Sequence, residues 1–230
     1  MKIIFFSDTH LTNKLEDKKF TFLEKIISQA DKVIILGDFW DNSLITFDQF
    51  VNSSWNKLFP LLKSKKTVYV YGNHDKKEFS DKRVLLFSDT QTDKYSFKVN
   101  EKTFVAEHGD RFFKNNLIYQ LTYGGPLKIF FMSKLFITWQ FVIFENLLTK
   151  AFGTRFLKKK SLRFNGHIKK VIIKEFKNNE ILICGHTHAA EIDLKNNFIN
   201  TGIIRHGLGQ FVIIDDGIIY LKEEWYNASR

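Results

Sequence analysis

The chain has 230 residues, of which 44% are hydrophobic, and its 35 Lys and Arg against 25 Asp and Glu give a formal net charge of +10. That length suits one domain, or one domain with a sizeable insertion, and can bury a core without staples. The single cysteine excludes an intramolecular disulfide and fits a reducing compartment.

The N-terminal apolar stretch in "KIIFF" (2–6) reads as a strand and runs straight into Ser7 and Asp8. It is too short for a signal peptide, so a cytoplasmic protein starting at or next to Met1 is expected. Residues 20–30 carry apolar side chains at helical spacing, followed by the strand pattern "KVIIL" (32–36), more helix-spaced apolars over 46–63, and "TVYVY" (67–71). Further strands are expected at "TFVAE" (103–107), "EILIC" (180–184), "FVIID" (211–215) and "IIYL" (218–221), with "DDG" (215–217) as a tight hairpin turn. Continuous apolar strands alternating with helical stretches predict a layered α/β core with strands buried on both faces. Cys184, closing the run "ILIC", reads as a buried small hydrophobe.

Residues 112–165 interrupt this rhythm. The run "LKIFFMSKLFITWQFVIFENLLTKAF" has few turn signals, and its polar Lys134, Thr138, Glu145 and Thr149 fall within about 60° on a helical wheel. Between Arg111 and Lys174 stand thirteen basic residues and one acid, Glu145, a local charge of +12 that leaves about −2 elsewhere. A wide apolar helix flanked by cations suits an anionic bilayer surface. Packing on the core is the alternative, and the polar residues inside the run speak against a membrane span.

Chemistry-bearing residues recur at five strand ends: Asp8 and His10, Asp38 and Asp41, Asn73, His74 and Asp75, His108, and His186 and His188. Any one of these is common as a cap or turn; five can converge at the carboxyl edge of a sheet, where α/β sites form. Carboxylate, imidazole and amide without a ligand cysteine suit Mn²⁺, Fe²⁺ or Zn²⁺ at a working site more than a structural zinc. Strand alternation would aim Asp8 and His10 the same way, and His186 and His188 likewise if extended. Seven donors exceed one ion and suit two that share a bridging carboxylate.

In order, Asp8-x-His10, Gly37-Asp38-x-x-Asp41, Gly72-Asn73-His74-Asp75, His108 and Gly185-His186-x-His188 resemble the pattern of the calcineurin-like metallophosphoesterase superfamily. The resemblance covers the chain outside the insertion. It implies a four-layer αββα sandwich, with residues 1–111 and 166–230 as the core and 112–165 as an inserted helical lid. It further implies that Asp8, His10 and His188 hold one divalent ion, that Asn73, His108 and His186 hold the other, and that Asp38 bridges. Two such ions acidify an attacking water and neutralise phosphoryl oxygens. His74 is then expected as the acid partner at the leaving oxygen, Asp75 as the group orienting its ring, and Asp41 as support for a ligand. His167 is expected to be solvated, and His206 to line the site or face solvent.

Substrate must be read from the insertion. Its place between "HGD" and "GHTH", with "INTG" at 199–202, is similar to the UDP-2,3-diacylglucosamine pyrophosphohydrolases of lipid A synthesis. These act at the membrane surface with Mn²⁺, and the similarity implies a nucleotide-lipid substrate cleaved at its diphosphate. Arg111, Lys114, Lys158, Lys159 and Lys160 would meet phosphates or headgroups. His74 departs from the Gly-Asn-Arg-Asp that many of those enzymes carry. The alternative is a soluble phosphodiesterase or phosphatase acting on nucleotides or nucleic acid. The many Phe, Leu and Ile of the insertion would be costly in a wet nucleic-acid groove, and a non-catalytic scaffold would have lost ligands that all stand here.

Overall fold

The computed structural model describes residues 1–113 and 162–227. The long apolar run expected as a helical lid, with Lys114, Lys158, Lys159 and Lys160, lies outside the described residues. Among these residues are twelve strands: β1 (Lys2–Phe6), β2 (Lys32–Leu36), β3 (Val68–Val70), β4 (Thr90–Thr92), β5 (Lys94–Val99), β6 (Lys102–Glu107), β7 (Glu180–Cys184), β8 (Glu191–Asp193), β9 (Phe198–Asn200), β10 (Ile204–Arg205), β11 (Leu208–Asp215) and β12 (Ile218–Trp225). One sheet runs β10-β11-β1-β2-β3-β4, with β12 on β11; the other runs β5-β6-β7-β9-β8.

Both faces of the central strands are buried, which is why they read as unbroken apolar runs. Ile3, Phe5, Ile34, Leu36, Val68 and Val70 meet Phe104, Ala106, Ile181, Ile183 and Ile199 between the sheets. Their alternate neighbours Ile4, Phe6, Val33, Ile35 and Tyr69 pack outward against α1 (Asp17–Ser28), α2 (Phe47–Val51) and α3 (Phe59–Ser64). On the far side, Leu182, Cys184 and Phe198 pack against Phe112, Phe113, Ile168 and Ile172, the last two from a helix, α4, over residues 162–175. The order helix, sheet, sheet, helix is the expected mixed α/β sandwich. Each fully buried side chain of this size contributes about 1.5–3 kcal/mol.

The helix-spaced stretch over 46–63 is broken into pieces. Thr46 and Gln49 form a reciprocal capping box on α2. Ser53 accepts from Trp55 N–H to start a 3-10 turn, and a proline at the start of α3 fixes a new entry. Asp216 (φ 48°) and Gly217 (φ 85°) make the tight turn between β11 and β12. The strands missed in the sequence, β4, β5, β8, β9 and β10, are short or half-exposed and lack a long apolar run.

In the parallel register, β1, β2 and β3 end on one edge, and β6 and β7 end on the same edge of the second sheet. Backbone bonds join the loops that follow: Asp8 N–H donates to Gly37 C=O (3.2 Å), and Gly185 N–H to His108 C=O (3.0 Å). The five blocks are thereby gathered at one rim.

Candidate metal centre

Asp8, His10, Asp38, His186 and His188 all have positive φ, between 44° and 65°. A left-handed backbone is uncommon in residues other than glycine and costs roughly 1–3 kcal/mol where it is not locally compensated. Five of the seven expected ligands therefore leave their strands through tight left-handed turns, and Asp8 and His10 converge by those turns and not by strand alternation. Close approach sets the glycines: a Cβ on Gly37 (φ 79°) would stand 2.7 Å from His108 Nδ1 and 2.7 Å from Gly72 Cα.

Donor atoms of Asp8, His10 and His188 lie within 4.8 Å of one another, as do those of Asp38, His108 and His186. On the first side, Asp8 Oδ2 accepts from the Ser7 hydroxyl and from His186 N–H (2.9 Å), which leaves Oδ1 turned into the site. His10 Nδ1 donates to Asp41 Oδ2 (3.2 Å), leaving the Nε2 lone pair bare 3.7 Å from Asp38 Oδ2. Asp8 Oδ1 and His10 Nε2 are buried without a well-formed hydrogen bond, with His188 Nε2 3.1 Å from that Oδ1. Buried polar atoms are rarely left unsatisfied; a cation between these two would satisfy both.

On the second side, the only role open to Leu36 C=O is acceptor, so His108 Nδ1 carries the hydrogen it donates there (2.8 Å). His108 Nε2 then faces Asn73 Oδ1 (3.0 Å), Asp38 Oδ2 (3.3 Å) and His186 Nδ1 (3.2 Å). Four potential acceptors pointing at one another need a positive charge among them, either a proton or a metal ion. Burial alone would lower the His108 pKa, but Asp38 outweighs it and raises it well above the ordinary value. Without metal, a proton fills the gap, and a divalent ion would displace it. The donor set thus fits two divalent ions, with Asp38 Oδ2 3.3 Å from His108 Nε2 in its own trio and 3.7 Å from His10 Nε2 in the other.

Charge around the centre is sharply divided. Burial, then Arg205, pushes His10 down to about 4; burial, then His108, pushes His186 down to about 3, so both rings offer lone pairs. Burial works against the Asp8 charge, but His188 overcomes it and holds Asp8 at about 2. His74 goes the other way: burial opposes its charge, yet Asp38 and Asp41 outweigh it and hold the ring up to about 9.

Asp41, and not Asp75, orients His74. Asp41 Oδ1 accepts from His74 Nδ1 (2.9 Å) while Oδ2 takes His10 Nδ1. Asp75 is turned inward: its carboxylate accepts from the backbone N–H of Asp38 (2.9 Å), Phe39 (2.7 Å) and Gly72 (2.7 Å). It locks two of the five blocks together because its side chain is short enough to reach three amides at once. Burial, then the Asp38 charge, raises its pKa to about 6.

Residues 1–190 match the calcineurin-like phosphoesterase family. The chain belongs to that family. It is a metal-dependent phosphoester hydrolase, and divalent ions are what the family uses. Among solved structures, an archaeal phosphodiesterase is similar at a TM-score of 0.50 with 17% identity, over 97% of this chain and 100% of that one. The phosphoesterase Yfce of E. coli is similar at 0.45 with 16% identity, over 99% and 100%. At 17% identity the likeness to the archaeal phosphodiesterase shows the fold alone. No curated protein matches the chain.

In this phosphoesterase Arg111 does not stand free for a substrate phosphate. Its guanidinium holds Glu107 and Glu175 (2.8 Å) and lies 4.0 Å from the Phe112 ring centre. His167 is exposed as expected, and its Nε2 donates to Phe112 C=O (3.1 Å). His206 sits exposed at the left-handed turn between β10 and β11. Cys184 is fully buried, and burial pushes its thiol well up.

Supporting groups also come from outside the five blocks. Asn200 donates to Gly185 C=O (2.7 Å) and to Thr187 Oγ1 (3.1 Å), and Thr201 N–H to Cys184 C=O (2.8 Å). Lys19, buried in α1, donates to Thr9 C=O (2.8 Å) between two ligand candidates; burial lowers its pKa to about 8. "INTG" was the one available signal for the first two; nothing in the helical pattern marks Lys19.

Proposed function

We propose that this phosphoesterase hydrolyses the diphosphate of a nucleotide-linked lipid resembling UDP-diacylglucosamine, with two Mn²⁺ ions, at an anionic membrane surface. Asp8, His10 and His188 would hold one ion, Asn73, His108 and His186 the other, and Asp38 both. Bound ions supply Lewis acidity, which neutralises phosphoryl oxygens and acidifies an attacking water. The chain's own residues set the rest. Asp41 occupies His74 Nδ1, so the Nε2 hydrogen of a ring held protonated is available to a leaving oxygen as its bond to phosphorus breaks.

One observation carries the lipid part of this reading: the basic, apolar segment is rooted on the histidine loop. Phe113, at its entry, packs on His186 with ring centres 5.3 Å apart. Asn165, at its exit, donates to Ala189 C=O (2.9 Å) and accepts from Thr187. An apolar wall starting there would shelter acyl chains beside the reacting phosphorus. Among the described residues no helix is long and apolar enough to cross a membrane. A second reading, a phosphodiesterase without lipid preference, is favoured by His74 in place of the arginine of many lipid hydrolases.

Hydrolysis of bis-p-nitrophenyl phosphate should require added Mn²⁺ and fail in His10→Ala and Asn73→Ala. The loss should exceed the roughly 10- to 100-fold expected from removing a merely supporting group. Activity surviving chelation would end the two-ion reading. For substrate, UDP-diacylglucosamine, a cyclic nucleotide and single-stranded DNA assayed side by side decide: turnover of either of the last two without the first overturns the lipid assignment.

A further inference from the structure

β12 pairs with β11 along the whole of Leu208–Asp215, so one edge of β11 is taken. β10 must use the other edge, the one that β1 occupies up to the pair Phe5↔Val212, and its own pairs are Ile204↔Gly209 and Arg205↔Leu208. β10 therefore continues the line of β1 past its carboxyl end, where Asp8 and His10 turn off. Ser7 confirms the juxtaposition: its hydroxyl lies 2.8 Å from Thr201 Oγ1 and 3.3 Å from Gly202 C=O.

Within β10, Ile204 is buried in the core beneath the helices. Strand alternation puts Arg205 on the opposite face, the one turned to the second sheet. It is half-buried, and among the described residues its guanidinium has no carboxylate or hydrogen-bond acceptor. Arg83 and Arg111 differ, each holding two carboxylates. The nearby acids are committed: Asp41 to two imidazoles, Asp75 to three amides, Asp8 and Asp38 to the ion positions, and Glu16 to Lys19 (3.2 Å). A partly desolvated guanidinium beside a place for two cations is unfavourable until an anion arrives, and its planar fork matches phosphate oxygens.

We propose that Arg205 is a phosphate-binding residue of this site, taking unesterified oxygens of the substrate through its guanidinium fork. The proposal rests on the phosphoesterase reading above and names a group outside the five blocks that does not ligate metal.

The test is equilibrium binding of inorganic phosphate by calorimetry to the full chain loaded with Mn²⁺, alongside a Mn²⁺ titration, for wild type, Arg205→Ala and Arg205→Lys. Loss of a charge-assisted contact should weaken phosphate binding by about tenfold or more in Arg205→Ala. Arg205→Lys, keeping charge without the fork, should fall between. Mn²⁺ affinity should be unchanged in both, and KM for bis-p-nitrophenyl phosphate should rise more than kcat falls. Phosphate affinity equal to wild type in Arg205→Ala overturns the proposal. So does no phosphate binding by wild type, or a loss matched by an equal loss of Mn²⁺ affinity, which would mark a structural role. If wild type binds phosphate through Arg205 yet hydrolyses no phosphoester, the functional reading falls and the binding role stands.

Discussion

His10 and His186 stand in one centre but are held in place by different forces. The His10 ring is set by charge, its Nδ1 donating to the Asp41 carboxylate that also holds His74. The His186 ring is set by its neighbouring rings: Nδ1 lies 3.2 Å from His108 Nε2, and the ring centre stands 5.0 Å from that of His108 and 5.3 Å from that of Phe113. A charge-held ligand answers to pH and to neighbouring carboxylates; a ligand held by neighbouring rings answers to whatever moves them. Phe113 adjoins the basic, apolar segment, so among the described residues it ties His186, in the second half of the centre, to the start of that segment.

Both halves hang on a common frame, and breaking that frame should have the largest effect. Asp75→Ala strips three buried backbone N–H groups of their acceptor, each costing about 1–3 kcal/mol. Relief of the buried carboxylate offsets part of this, so a loss of about 3 kcal/mol or more is expected, lowering the unfolding temperature of the metal-free chain by roughly 6 °C or more. An unchanged unfolding temperature would show that Asp75 is not the frame and leave its conformational role without support.

The charge-held half should respond next. Asp41→Asn keeps one acceptor oxygen for two ring N–H groups, so one imidazole must face an amide NH₂. Hydrolysis should fall by roughly 10- to 100-fold. The pH dependence has a definite sign. Burial opposes the charge of His74, but Asp38 and Asp41 outweigh it and raise the ring from 6.5 to about 9, so in the metal-free chain its acid form persists through neutral pH; bound cations oppose the Asp38 contribution, and the alkaline limb of activity should lie below that value. Losing Asp41 moves the limb down. In stability, a raised histidine pKa contributes fully below 6.5 and is lost as pH rises through about 9. The metal-free wild type should therefore lose its advantage over Asp41→Asn across that window. A pH–rate profile whose alkaline limb stays put would remove His74 from proton transfer.

The difference between the halves also explains what could be read in advance. Polar residues at strand ends are local in sequence, so the gathering of Asp8, His10, Asp38, Asn73, His108, His186 and His188 at one rim was legible, as were the apolar strands behind them. Orientation was not. Asp75 follows His74 directly, which suggested a pair, but the turn aims its carboxylate inward at Gly72 and Phe39. Asp41 reaches His74 across 33 positions of sequence, and that contact depends on the register of β2 with β3. Arg111 looked free because its partner Glu175 lies beyond the insertion. Nothing in the sequence marks Arg205, because β10 is two residues long and only its pairing places it beside β1.

The finest separation of the two halves needs a gentle substitution. Phe113→Leu keeps an apolar side chain in a nearly closed pocket, and a swap of this kind costs about 1.5 kcal/mol or less. What it removes is the flat surface against His186. Of two Mn²⁺ binding steps, the one that uses His186 should weaken by less than about tenfold, while the step that uses His10 stays as it was. Asp41→Asn should do the reverse. Because the two side chains share no contact, the double variant should show the sum of both effects in a calorimetric Mn²⁺ titration. If both single variants weaken the same step, the ions are not held by separable halves, and the link from Phe113 to one ion alone is gone. If each weakens its own step, a change in the insertion can reach the second ion without disturbing His74 or the group that holds its proton.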